Sequence, residues 1–513
     1  MKEKFNKQNY QQMECINKKT WHISCSALNY LLKYVTFIKQ SITALMRLCA
    51  KDIRGEVVMN QELEKKYGLL TAIAMVVGIV IGSGVFFKAE KVLVATGGNL
   101  PQGILAWFLG GLVMVVCAYN FAVLATRYEK VSGIVDYAET MVNSKYGYFF
   151  AWFMATIYFP AMTSVLAWVS ARYFCVLLGW DIVGPQAMTI AGFFLVCSYV
   201  LNAISPRLAG KFQVTTTVIK LIPLAFMAVV GTIFGLKNGI LVENFNTGVI
   251  SQVQGNPLFT AVVGTSFAYE GWICATSINA ELKDAKRNLP LALVIGTIFI
   301  VLVYMLYYVG LAGAIENKVM MEGGEAGAKI AFSTVFTQAG GTLLFVFVVI
   351  SCLGTLNGLM LACTRGFYAM AARNEGPMPH IFNGVDKVTN MPTNSSAMGV
   401  LMASIWLTYF YGANLTQPWF GPFCFDSSEL PIITIYAMYI PIFLMQLKKG
   451  TDLGVFNRYI APTLGILASA FMVFAAIVSL GKAIVYYLIL FAVVMCVGFL
   501  LKNFGHEKTV KKD

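Results

Sequence analysis

Charge is scarce in this chain. Asp, Glu, Lys and Arg make up 12% of 513 residues, whereas a soluble domain carries roughly 25%. With 58% hydrophobic and 13% aromatic residues and a mean hydropathy of +0.69, the composition excludes a soluble enzyme and a disordered chain. Histidine is nearly missing: His22, His380 and His506 lie far apart and outside every apolar span. The eleven cysteines form no C-x-x-C pair, and most sit in apolar runs where Cys behaves as a small hydrophobe. No disulfide framework, metal site or haem motif is readable, so no metal and no cofactor is expected. The phosphate-binding pattern G-x-x-x-x-G-K-[ST] is also missing, which removes ATP-driven chemistry. An intramembrane enzyme would need a nucleophile, base or metal ligands clustered within spans, and the spans hold no His and no paired carboxylates.

What remains is a chain for a lipid bilayer. Its net charge of +13 reads as loop lysines and arginines beside an anionic leaflet, not as a nucleic-acid surface. From Gly68 onward, apolar runs alternate with short polar breaks. The expected spans are 68–96, 102–126, 147–178, 185–204, 210–235, 257–280, 289–314, 341–370, 395–413, 429–447, 460–481 and 483–501. Connections on one side carry Lys88, Lys91, Lys237, Lys318, Lys329 and Lys482. Those on the other side are much richer, with Arg127, Lys130, Lys145, Arg207, Lys211, Lys283, Lys286, Arg287, Arg373, Lys387, Lys448, Lys449 and Arg458, besides four lysines in the tail. The positive-inside rule then puts both termini in the cytoplasm, in agreement with an even number of spans.

Residues 1–58 differ from the rest. No apolar run there approaches the roughly 20 residues that cross a bilayer, and no signal-peptide cleavage pattern is seen. Residues 27–48 would suit an amphipathic surface helix; the favoured reading is that Met59 is the native start, because Met59–Tyr67 forms a short polar lead into the first span. The expected organisation is an extension over 1–58, a ten-helix core over 59–447 with halves at 68–235 and 257–447, two further helices over 448–502, and a tail over 503–513.

Two spans carry the chemistry. The first contains Gly78-Ile79-Val80-Ile81-Gly82-Ser83-Gly84-Val85 and the sixth Gly264-Thr265-Ser266-Phe267-Ala268-Tyr269-Glu270-Gly271-Trp272. Each glycine weakens a helix by about 1 kcal/mol, and freed backbone groups survive in lipid only where they line a cavity. Matching interruptions in two halves of a chain point to a transporter's substrate site; close packing of small residues is the plainer alternative for Gly82 and Gly84. Such breaks expose N–H groups around Ser83, Gly84 and Val85 for a carboxylate. They also expose carbonyls near Val80, Ile81, Phe267 and Ala268 for an ammonium. Phe267, Tyr269 and Trp272 would make an apolar lid, with ordinary core packing an equal reading for Trp272.

These residues resemble a known family. Gly78–Phe86 is similar to the first-helix signature of the amino acid–polyamine–organocation superfamily. Phe267–Trp272, with Glu281 and Arg287-Asn288-Leu289-Pro290, resembles the sixth helix and following loop of its L-type amino acid transporter branch. Arg365-x-x-Tyr368-Ala369-Met370-Ala371-x-Arg373 resembles the end of the eighth. The resemblance implies an all-α, LeuT-type membrane fold of twelve helices, with a five-plus-five inverted repeat broken in helices 1 and 6. It further implies a plasma-membrane permease or exchanger of amino acids. Two departures stand out. Val131-Ser132-Gly133-Ile134 has Ile where relatives have a second Gly. The 179–184 connection has no Cys, so no disulfide-linked heavy chain is expected.

Two charges stand inside the spans. Lys220 lies about 14 Å into the fifth span at 1.5 Å per residue, close to the midplane. There an ammonium costs roughly 2.5–3.5 kcal/mol on insertion scales and should face a polar interior. By the resemblance it takes the place of a sodium ion, bridging first-helix carbonyls and hydroxyls such as Ser351 or Thr355. Glu270 leaves three readings open: neutralising a cationic substrate, carrying a coupled proton, or pairing with Lys220. The expected function is sodium-independent amino acid transport by exchange or proton coupling. A neutral amino acid exchanger and a non-transporting sensor on the same fold are the alternatives.

Overall fold

The computed structural model describes residues 68–128, 133–204, 206–253, 255–273, 276, 282–386, 391–415 and 417–504. The extension over 1–58, the lead to Tyr67, Val131, Ser132, Glu281 and the tail from 505 lie outside the described residues. Among those described there is no β-strand. Ten helices are long and apolar enough to cross a membrane, or eleven if one bent pair is a single span.

That bent pair is α1 (Leu69–Val80) and α2 (Ser83–Ala95), which meet at 45°. Helix α3 (Leu100–Arg127) is followed by the short α4 (Ile134–Met141) and by α5 (Ser144–Leu178). Next come α6 (Pro185–Ile204), α7 (Pro206–Phe226) and α8 (Pro257–Ser266). The remainder are α9 (Ala285–Ala314), α10 (Gly327–Ala371), α11 (Thr393–Ala413), α12 (Leu430–Lys449), α13 (Ala461–Leu480) and α14 (Lys482–Leu501).

Three of these helices start with the same device. The side chains of Asn99, Asn143 and Asn256 accept from the backbone N–H groups of Gln102, Tyr146 and Phe259 at 3.0, 2.8 and 3.2 Å. Each satisfies a donor that the first turn leaves without an intrahelical partner. At the far end of α5, Gly179 takes the left-handed conformation (φ 69°, ψ 26°) that closes a helix at no Cβ cost.

Two expected spans differ in shape. In the sixth, expected over 257–280, the first α-helix ends at Ser266; the chain turns at Phe267–Glu270 and Gly271 takes φ +103°, and residues 274, 275 and 277–280 lie outside the described residues. The eighth, expected from 341, follows a kink: Phe336 (φ −118°, ψ 17°) and Thr337 (φ 67°, ψ 165°) leave the helical region and divide α10 into a short helix and the long one that ends at Ala371.

Within α5 the regular helix opens into one π-turn over Met154–Tyr158. Pro160 has no N–H to give to the Thr156 carbonyl one turn back, and the Trp406 indole N–H takes that carbonyl at 2.9 Å. Helix α9 packs most extensively on α3, and α10 on α5. At the ends of the bundle, Arg373 pairs with Asp136 and, at 3.5 Å, with Glu139, tying the end of α10 to α4.

Candidate functional site

The breaks in the first and sixth spans lie against each other. Ile81 is extended (φ −68°, ψ 103°) and Gly82 leaves the helical region (φ −145°, ψ −140°), so α1 ends and α2 restarts at Ser83. Across from them, the turn after α8 is held by the Ala268 and Tyr269 N–H groups, which donate to the Thr265 carbonyl at 3.0 and 3.2 Å. A Cβ added to Gly84 would sit 2.5 Å from Ala268 Cα, and one added to Gly82 would sit 2.3 Å from Thr355 Oγ1. Both glycines therefore let backbone and side chains approach more closely than any other residue permits. Close approach at these glycines is what brings the two breaks together.

Between the breaks is a small cavity. From the first break it is lined by Ile79, Val80, Gly82, Ser83 and Gly84, and from the second by Phe267, Glu270 and Gly271. Tyr158, Met162 and Leu166 of α5 and Thr355 and Leu359 of α10 close it. Its polar groups are few and buried. The Ser83 hydroxyl and Glu270 Oε2 have no hydrogen-bond partner among the described residues, while Glu270 Oε1 accepts from the Tyr158 hydroxyl. The first N–H groups of α2, at Ser83 and Gly84, belong to a helix start and lack intrahelical acceptors.

Not every expected residue reaches this cavity. Ile81, Val85, Ala268, Tyr269 and Trp272 are buried but lie behind its lining. Tyr269 is turned away because its hydroxyl donates to the Trp107 carbonyl at 2.8 Å and its ring packs on Tyr304 at 5.3 Å. Trp272 packs on Phe121 (5.8 Å) and Tyr439 (6.1 Å), so core packing accounts for it and it forms no lid. Phe267 lines the cavity, with Phe87 at 6.1 Å. The Val80 carbonyl already accepts from the Tyr304 hydroxyl at 3.0 Å.

Lys220 is fully buried and faces the first break. Its ammonium donates to the Gly78 carbonyl and, at 3.5 Å, to Thr355 Oγ1. Gln213 reaches the same carbonyl at 3.4 Å. Ser351, expected beside Thr355, is buried without a partner among the described residues. Lys220 and Glu270 do not meet. Each is occupied by other groups, which removes the pairing considered for Glu270.

A second buried cation was not anticipated from sequence. Lys88 of α2 donates to Glu429 Oε1 (2.6 Å) and Ser428 Oγ (3.2 Å), just ahead of α12. Its ammonium lies 5.7 Å from the Phe267 ring. Close by in the same connection, burial alone would raise the Asp426 carboxyl, but the Lys88 and Lys91 ammoniums outweigh it and hold it below the usual carboxylate range. Tyr158, Met162, Leu166 and Leu359 were missed as lining residues. Pro160 is the one local signal, since it marks where α5 loosens beside the cavity.

A bundle of apolar helices in which two helices break face to face around a buried, sparsely polar cavity is the architecture of a membrane transporter. A family described as amino acid permease matches residues 67–500. The serine/threonine exchanger SteT of Bacillus subtilis (strain 168) is 28% identical over 412 residues, covering 80% of this chain and 89% of the relative. The b(0,+)-type amino acid transporter 1 of Homo sapiens is 24% identical over 433 residues, 84% and 86% of the two chains. The cystine/glutamate transporter of Homo sapiens is 26% identical over 340 residues, 64% and 66%. The chain belongs to the amino acid permease family. It is an amino acid transporter of the membrane and not an enzyme.

Proposed function

We propose that this transporter exchanges amino acids without sodium, by alternating access around the cavity between the two breaks. The substrate carboxylate sits at the Ser83 and Gly84 N–H groups, favoured by the positive end of the α2 dipole. The side chain points toward Glu270, whose free carboxylate oxygen favours a cationic amino acid. The observation that carries this reading is that one cavity joins the start of α2 to an unsatisfied buried carboxylate. The exchange mode rests on the similarity to a relative named as a serine/threonine exchanger. The same reading takes twelve spans in a LeuT-type five-plus-five inverted repeat, both termini in the cytoplasm and the plasma membrane as location. No heavy chain is linked by disulfide, since the 179–184 connection has no Cys.

Sodium independence follows from Lys220. Its ammonium donates to the Gly78 carbonyl, and a second cation in the same small space would be repelled. Replacing sodium by choline or potassium in a proteoliposome uptake assay should leave initial rates nearly unchanged; a strict sodium requirement overturns this part of the reading.

Glu270→Gln tests the cation preference. The substitution removes the charge at nearly constant volume. Binding of lysine or ornithine should weaken by about 2 kcal/mol, the scale for losing one charged hydrogen-bond partner in a buried site, while serine changes less. A loss of only the pH dependence of uptake would favour proton coupling, and equal affinity of the wild type for cationic and neutral substrates would favour a neutral amino acid exchanger.

A further inference from the structure

We propose that Tyr158 decides which cationic side chain the site accepts, favouring a terminal ammonium over a guanidinium. The inference rests on the reading of Glu270 as the side-chain partner and goes beyond it to the geometry of that partner. Tyr158 closes the π-turn of α5, and its hydroxyl donates to Glu270 Oε1. One oxygen is therefore engaged by the protein, and Oε2, buried and without a partner among the described residues, is left to the substrate.

A guanidinium is a planar fork that binds a carboxylate best through two parallel N–H···O bonds to both oxygens. With Oε1 held by Tyr158, that fork finds one oxygen open. A primary ammonium is a compact point charge whose donors need no such pairing, so a single free oxygen suits it. The cavity is also lined by Met162, Leu166 and Leu359, which suit the methylene stem of ornithine or lysine. Those side chains offer no acceptor for the donors a guanidinium would leave over, and unpaired buried donors are costly.

The position of Tyr158 has its own cause in the chain. Pro160 frees the Thr156 carbonyl, Trp406 takes it, and the helix widens by one residue just ahead of the proline. The tyrosine is thus set on the cavity side by backbone irregularity, a placement that π-turns often give to functional residues.

The test is competition binding of purified full-length protein in detergent, with ornithine, lysine, arginine, citrulline and serine as competitors. For the wild type, ornithine and lysine should compete about tenfold better than arginine, the ratio expected for roughly 1.4 kcal/mol. Tyr158→Phe frees Oε1 at almost constant volume. It should bring the ammonium-to-guanidinium ratio close to one, a ratio read within the variant so that any loss of affinity common to all amino acids cancels. A wild type that prefers arginine, or a ratio unchanged in Tyr158→Phe while serine still binds, overturns the proposal. If serine competes but neither cation does, the amino acid site stands and the proposal fails. If no amino acid competes with the wild type, the site reading itself fails. The wild-type ratio needs no variant, so a Tyr158→Phe protein that does not fold leaves the proposal exposed to that first measurement.

Discussion

Replacing Glu429 with alanine is expected to destabilise the protein by about 3–5 kcal/mol, the cost of leaving one partner of a buried ion pair uncompensated. Lys88 is almost fully shielded, with 1% of its side chain exposed against 13% for Glu429. Removing the carboxylate strands an ammonium with only Ser428 Oγ at 3.2 Å and the nearby charge of Asp426. The effect should therefore fall at the lower end of that range. The measurement is thermal unfolding of the purified protein in detergent. Lys88→Met combined with Glu429→Leu should recover most of the loss, because apolar residues of similar volume often replace a buried pair at little cost. A single variant as stable as the wild type would mean that the pair is not formed. The same cluster sets a pH dependence. The Asp426 carboxyl is held below its ordinary value, so its contribution is full above the normal carboxylate range and fades as pH falls through the lowered value.

Gly84→Leu is expected to abolish amino acid binding while the protein still inserts and purifies as a single species. The added Cβ would meet Ala268 Cα at 2.5 Å and its N at 3.3 Å. Those are backbone atoms, which cannot swing aside as a side-chain tip does. The start of α2 and the turn after α8 would have to separate, and the N–H groups of Ser83 and Gly84 would leave the cavity end where a carboxylate is expected. Binding of radiolabelled serine and lysine checks the outcome. Normal affinity in a monodisperse Gly84→Leu protein would mean that the substrate sits elsewhere.

Much of this was legible along the chain. Apolar runs report spans directly, since lipid demands continuous hydrophobic helix. Glycine spacing reports breaks, since the penalty for glycine is local. Lys220 could be placed near the midplane by counting residues, and its pairing with a first-helix carbonyl and Thr355 followed from the resemblance.

What could not be read was the choice among partners of similar chemistry. The sequence could not name Tyr158, 112 positions earlier in the chain, as the partner of Glu270. Lys88 passed as a loop lysine because Glu429 lies 341 positions away. Tyr269 and Trp272 share a motif with Glu270, yet of that motif Phe267, Glu270 and Gly271 line the cavity, because the turn at Gly271 and the rings of Trp107, Tyr304, Phe121 and Tyr439 decide which way each side chain points. Hydropathy and glycine content are properties of one segment, so the sequence by itself determined an all-helical membrane chain, the break between Val80 and Ser83 and the class of protein. Burial of a charge and the direction of a side chain depend on what other helices bring within a few ångströms, and only the tertiary structure decided those.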